Sequence, residues 1–232
     1  MALRSALEII NHSIDELEGG FVNNKADRGG PTNYGITHTT LASYLGKPTV
    51  TVDEVKNMKR SVAVDIYLTM YYHPYKIDLL PPCLRCIVFD MGINHGPKNA
   101  AKMLQWGLIN LGVRTSKADG AIGPLTAAEA TVAIKRFGER TVLQEIFNQR
   151  RDFYRRIIEK DPTQEVFKNG WENRVKWFEN NLSLQTEAVT KPPVKVRAEP
   201  LPVDKPVVNK DNGTTGDTGL LAFIKGLFKT RK

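Results

Sequence analysis

The sequence predicts a mainly α-helical body with one small β-hairpin, followed by a flexible tail that ends in a short amphipathic helix. Three observations carry this. Apolar residues recur at spacings of three and four through most of residues 3–180. Strand-like signals are confined to short pieces around residues 21–22 and 34–36, which flank the Gly-rich block 27–35 and predict a hairpin there. After residue 182 the composition changes: five of the 13 prolines fall within 191–206, ahead of the run NKDNGTTGDTG.

The elements follow in order. Leu3, Leu7, Ile10, Ile14 and Leu17 form one apolar stripe over residues 3–18. Thr51 and Glu54 make a capping-box pattern ahead of Val55, Met58, Val62 and Ile66. Pro97 opens a helix with Ala101, Leu104, Leu108 and Leu111 as its stripe and Gly112 as its stop. Pro124 opens another that ends near Gly138. Residues 139–160 follow with Val142, Ile146, Phe153 and Ile157, and a segment around Trp171, Val175 and Phe178 closes the body.

Segment 183–218 reads as a linker, extended in its Pro-rich half and flexible in its Gly/Thr half. In residues 219–232, Leu220, Leu221, Phe223, Ile224, Leu227 and Phe228 fall on one face, with Lys225, Lys229, Arg231 and Lys232 as the polar side or end. A helix here is about 21 Å long, too short to span a bilayer. It either lies on an anionic membrane surface, docks back on the body or pairs with a partner.

Charge narrows the function classes. The chain of 232 residues carries 33 Lys+Arg against 25 Asp+Glu, a net +8. Half of that excess lies in residues 183–232, with nine basic and five acidic residues. A nucleic-acid binder needs a basic stripe on the folded body, so none is expected as partner. No apolar stretch reaches membrane-spanning length, and the N-terminal region lacks the apolar core of a secretory signal. The two cysteines, Cys83 and Cys86, cannot build a disulfide framework. Their C-x-x-C spacing lacks a second pair, so no metal or cofactor is expected; they read as core or near-surface thiols, with a reactive pair as the alternative. Phosphate-loop, serine-hydrolase elbow and HExxH signatures are missing from the sequence.

The densest chemical signal is EGGFVNNKADRGGPTNYGIT, residues 18–37. Glu18 closes the first helix and Gly19-Gly20 ends it. A carboxylate at a helix C-terminus meets the negative end of the dipole, which raises its pKa and suits it to protonate a leaving oxygen. The bland alternative is a surface glutamate before an ordinary glycine cap. Asp27 and Thr32 supply polar groups nearby.

This block resembles the N-terminal signature of glycoside hydrolase family 108, lysozyme-like N-acetylmuramidases common among bacteriophage endolysins. The resemblance implies a lysozyme-like α+β fold with the hairpin after the catalytic helix, and makes Glu18 the catalytic acid. The arrangement is also similar to phage-type lysozymes in which Glu, Asp and Thr surround the scissile bond, although the gap from Asp27 to Thr32 is one residue shorter. Asp27 then positions the attacking water or stabilises positive charge at the sugar carbon, or else caps the Gly-rich turn. FDMGINHGPKNAAKMLQ, DGAIGPLT and NGWENRV resemble the peptidoglycan-binding domain found downstream of such segments.

The resulting organisation is a catalytic segment 1–82 and a peptidoglycan-binding-like segment 83–182, forming one compact body, then the linker 183–218 and the helix 219–232. Tyr34 is placed to stack on a sugar face. Asn94 and His95 border the cleft in the resemblance, where they touch substrate; alternatively His95 is a helix-terminal histidine satisfied by backbone. Trp171 and Trp177 read as core. Arg150, Arg151, Arg155 and Arg156 read as a solvated helix face. The expected protein is a monomeric endolysin that acts on peptidoglycan, made in the host cytoplasm and acting in the periplasm. Two rivals remain: a lytic transglycosylase, and a non-catalytic lytic protein that works through wall or membrane binding.

Overall fold

The first helix, α1 (Ala6–His12), begins at a reciprocal cap: Ser5 Oγ accepts from the Glu8 N–H while the Glu8 carboxylate accepts from the Ser5 N–H. The computed structural model describes residues 5–17, 20–23 and 30–182; the tail lies outside the described residues. The apolar face of α1 is made by Ile9, Ile10 and Ile14, all buried, with Ala6 packed on the core. Leu7 belongs to the predicted stripe but is 52% exposed. The register through Ala6 and Ile9 wins because it buries two adjacent isoleucines. α1 runs on into a π-helical turn, Ser13–Leu17.

The hairpin differs from its predicted pairing. Strands β1 (Thr32–Asn33) and β2 (Ile36–Thr37) pair antiparallel around a two-residue turn at Tyr34 and Gly35, and both turn residues have positive φ. Residues 34–36 were expected as strand across the Gly-rich block. Instead Val22 bridges Thr32 on the outer edge, with two N–H···O bonds of 2.8 Å. A primed turn matches the strand twist, which is why so short a connection closes here.

Thr37 caps α2 (His38–Tyr44), and the Thr51–Glu54 capping box forms as predicted at α3 (Val52–Lys56). The stripe through Val55, Met58, Val62 and Ile66 is not one helix. It breaks at residues 57–59, and α4 (Arg60–Ile66) restarts it before a second π-helical segment, Tyr67–Tyr72. The central helix is α5 (Pro82–His95), which buries eleven of its fourteen residues, Cys83 and Cys86 among them. Burial pushes the Cys83 thiol up to about 12 and the Cys86 thiol up as well, so both are inert core groups.

The remaining helices keep their predicted limits. α6 (Pro97–Asn110) stops at Gly112, α7 (Pro124–Phe137) lies between Pro124 and Gly138, and α8 (Glu139–Lys160) and α9 (Lys168–Asn180) follow. α9 returns to the start of the chain, where the Trp177 ring lies 5.1 Å from that of His12.

The arginine cluster of α8 does not form one solvated face. Arg155 does lie in solvent, and Arg156 rests over the Trp106 ring at 4.5 Å. Arg151 is half-buried and bridges Glu172 and Glu179 of α9. Arg150 is 0% exposed. Its position on α8 continues the stripe of Leu143, Ile146 and Phe147, so helical geometry drives it inward.

What receives it is Asp90, 1% exposed in the middle of α5. Arg174 of α9 donates to Asp90 Oδ1 from Nε (3.0 Å) and Nη2 (2.6 Å). Arg150 Nη1 lies 2.7 Å from Oδ2, an ion pair without hydrogen-bond alignment. Burial opposes ionisation of Asp90, but the two guanidiniums outweigh it and hold its pKa below the ordinary carboxylate value. Arg150 Nε donates to Tyr154 Oη (2.6 Å), which lies 3.1 Å from His95 Nε2. Tyr154 Oη thus joins Arg150 to His95, and the direction of its bond with Nε2 follows the imidazole tautomer. Burial and the Arg150 charge hold the His95 pKa well below its ordinary value.

Two outcomes follow from this network. Asp90→Asn leaves two buried cations without their counter-charge and should cost at least about 3–5 kcal/mol, read from the urea midpoint. His95 is neutral in the fold but binds a proton below about pH 6.5 when unfolded. Stability should therefore fall as pH drops from 7 to 5, by at most about 1.4 kcal/mol per pH unit from this residue. His95→Gln, which keeps an acceptor and cannot titrate, should flatten that slope.

Candidate active site

The predicted acid, Glu18, and Asp27 both lie outside the described residues, so the site is defined by what flanks them. On one side is the π-helical turn Ser13–Leu17, which leads directly into residue 18 in the sequence. Three attachments fix this turn. Ile14 enters the core beneath it, and Ser13 Oγ donates to the Ile9 carbonyl at 2.9 Å. From outside, Arg60 at the start of α4 donates to the Asn11 side chain and, at 2.7 Å, to Asp15. Widened helical turns of this kind concentrate at functional sites.

On the other side is the hairpin, which carries Thr32 and Tyr34. Thr32 is half-buried; its backbone pairs with Val22 and its Oγ1 donates to the Gly30 carbonyl at 3.3 Å. Gly30 has φ +67°, and a methyl group there would fall 2.7 Å from the His38 imidazole, so only glycine lets the chain pass under that ring. Tyr34 holds φ +50°, a left-handed conformation that costs a non-glycine residue roughly 1–2 kcal/mol.

Two residues not singled out from the sequence keep the hairpin in place. Asn33 is 5% exposed and its Nδ2 donates to the Val55 and Lys56 carbonyls, both at 3.0 Å. Both carbonyls lie at the C-terminus of α3, where Val55 O also accepts from the Met58 N–H, so one amide both caps that helix and anchors β1. Tyr67 Oη donates to the Tyr34 carbonyl at 3.0 Å, holding the strained turn from below, while its ring packs edge-on against Phe89 of α5. Neither residue has a local signature, because each acts across more than twenty positions. A weak signal existed in Asn33: a polar side chain on an otherwise buried strand face needs a partner.

Asn94 and His95 belong to the network behind this region. Asn94 is 5% exposed and its Nδ2 donates to the Asp90 carbonyl at 2.7 Å. His95 is the last residue of α5, as its helix-terminal reading requires, but its ring is engaged by Tyr154 and not by backbone. The side chains of Thr32, Tyr34 and the turn before residue 18 thus come from elements that are tied to one another. Asn94 and His95 stand on the far end of the helix that supports them.

Comparison with known proteins assigns the chain. The family model described as glycosyl hydrolase 108 matches residues 12–96, a span that takes in the π-helical turn, the hairpin and α5. A second model, described as a predicted peptidoglycan domain, matches residues 99–176, from α6 into α9. Among solved structures the chain is similar to SagA of Brucella abortus, with 28% identity, a TM-score of 0.63, and coverage of 79% of this chain and 97% of that one. No curated protein matches the chain. Residues 12–96 thus form a glycosyl hydrolase 108 domain, a glycoside hydrolase of N-acetylmuramidase type, followed by a peptidoglycan domain over 99–176.

Proposed function

We propose that the protein is an endolysin-type muramidase that cleaves the β-1,4 bond between N-acetylmuramic acid and N-acetylglucosamine and so lyses a bacterial host. The observation that supports this most is the glycosyl hydrolase 108 match over 12–96, which contains the whole Glu18–Thr37 block and is followed at once by a peptidoglycan domain. In this reading Glu18 protonates the glycosidic oxygen as the bond breaks. Asp27 meets the positive charge that develops at the sugar carbon or positions the incoming water, and Thr32 holds the water or the carboxylate from the hairpin. Tyr34 presents its ring to a sugar face. Asn94 and His95 act from within, by fixing the end of α5, and do not touch the glycan.

The protein is proposed to work as a monomer, made in the host cytoplasm and reaching the wall in the periplasm. The cationic amphipathic segment 219–232, on its 36-residue tether, binds an anionic membrane surface and adds to the lysis of intact cells.

Glu18→Gln removes the transferable proton and little else. Turnover of purified peptidoglycan should fall at least about a hundredfold while the melting curve is unchanged. Near-wild-type turnover by a folded Glu18→Gln protein would falsify the assignment. Mass spectrometry of the same digest separates hydrolysis from transglycosylation, because an anhydro product is lighter by one water. Truncation to residues 1–182 should leave hydrolysis of bare peptidoglycan intact and reduce killing of intact cells; loss of the first activity supports the non-catalytic reading in its place.

A further inference from the structure

We propose that Tyr71 and Tyr75 form a second glycan-contact surface, beyond the hairpin, that takes saccharide units remote from the scissile bond. This rests on the glycan-cleaving reading of the Glu18–Thr37 block and deepens it. The carrying observation is an aromatic ladder. Tyr67, Tyr71 and Tyr75 recur every four residues along the second π-helical segment and the turn after it. Ring centroids are 5.7 Å apart between Tyr67 and Tyr71, and 5.8 Å between Tyr71 and Tyr75.

The ladder starts at the hairpin. Tyr67 is buried and its hydroxyl holds the Tyr34 carbonyl, so the first rung is joined directly to the turn carrying the proposed sugar-stacking ring. Burial then lessens along it, and Tyr71 and Tyr75 are both only half-buried. A half-buried tyrosine offers an apolar ring and a polar tip together, the combination that suits the C–H face and hydroxyl edge of a sugar.

An independent feature concerns the far end. Tyr75 lies against Gly92, in the interior of α5, where a methyl group would fall 3.0 Å from its Cδ2 and 3.1 Å from its Cε2. Glycine inside a helix is roughly 1 kcal/mol less favourable than alanine. Its backbone here is ordinary helix, so no turn requires it. What Gly92 preserves is the seat of the Tyr75 ring.

The test uses the full chain carrying Glu18→Gln, so that glycan survives the measurement, and peptide-free glycan strands sorted into short and long fractions. Isothermal titration should show tighter binding of the long fraction. Tyr71→Leu and Tyr75→Leu should each weaken long-strand binding roughly three- to tenfold and leave short-strand binding unchanged. Gly92→Ala moves the Tyr75 ring without deleting it and should weaken long-strand binding in the same selective way. It serves as the second variant if a leucine substitution fails to fold. Unchanged length dependence in the folded variants overturns the proposal, as does equal loss for short and long strands, the mark of a merely structural role. A wild type indifferent to strand length also overturns it. The cleavage assignment stands or falls separately, on the products of the Glu18→Gln digest.

Discussion

One carboxylate in the middle of α5 sets the arrangement of the helices around it. Asp90 is nearly without solvent and stays charged because guanidinium groups approach it from two other helices. A lone buried carboxylate would lose its proton-free form, at a cost of several kcal/mol. Arg150 and Arg174 must therefore arrive together, which fixes the rotation of α8 and the return of α9 against α5. Replacing such a triad by apolar groups is often neutral or stabilising elsewhere, so its contribution is better described as register than as strength. Each arginine also carries neighbours into position: Arg150 brings Tyr154 to His95, and Tyr154 stacks on Trp171 at 4.8 Å.

The same helix links that network to the hairpin. Phe89, next to Asp90 in sequence, packs against Tyr67 and Tyr72. Tyr67 in turn holds the Tyr34 carbonyl, and Asn33 ties the adjacent strand to α3. A chain of contacts thus runs from the ion triad, which joins α5 to two helices of the peptidoglycan domain, to the turn within the Glu18–Thr37 block. Each step is a packed or hydrogen-bonded pair, so the position of the hairpin depends on residues far from it in sequence.

Much of this fold is legible in the sequence where local chemistry decides. Pro97, Pro124, Gly112 and Gly138 limit helices because their backbone restrictions act within one turn, and the Thr51–Glu54 box forms for the same reason. The readings that failed depend on distant partners. The stripe through Met58 looked continuous because periodicity carries no information about the break at residues 57–59, where the distant Asn33 amide caps α3. Arg150 looked solvated because it was grouped with its charged neighbours; judged by the apolar stripe it continues, with Asp90 alone in an apolar run, it points to a buried pair. The Glu18–Thr37 block points to glycoside-hydrolase chemistry through its residue types and glycines, and the family match over 12–96 covers it. The residues that hold its hairpin are harder to read: Tyr67 has no local signal at all, and Asn33 has only that of a polar residue on a short strand, because the partners of both lie more than twenty positions away.

The strain at Tyr34 explains why so much of the structure converges on four residues of hairpin. A two-residue turn with both φ angles positive favours Asn-Gly, and tyrosine in the first position is a poor choice for the turn itself. Asparagine there would relax the backbone but would remove the ring. Keeping the ring requires other interactions to offset the conformational cost, and they are the Tyr67 hydroxyl on the Tyr34 carbonyl, the Asn33 amide one residue earlier, and the Val22 bridge behind Thr32. The ring itself packs against the hydrophobic core, so the fold gains apolar burial from the side chain that these three attachments hold in its strained position.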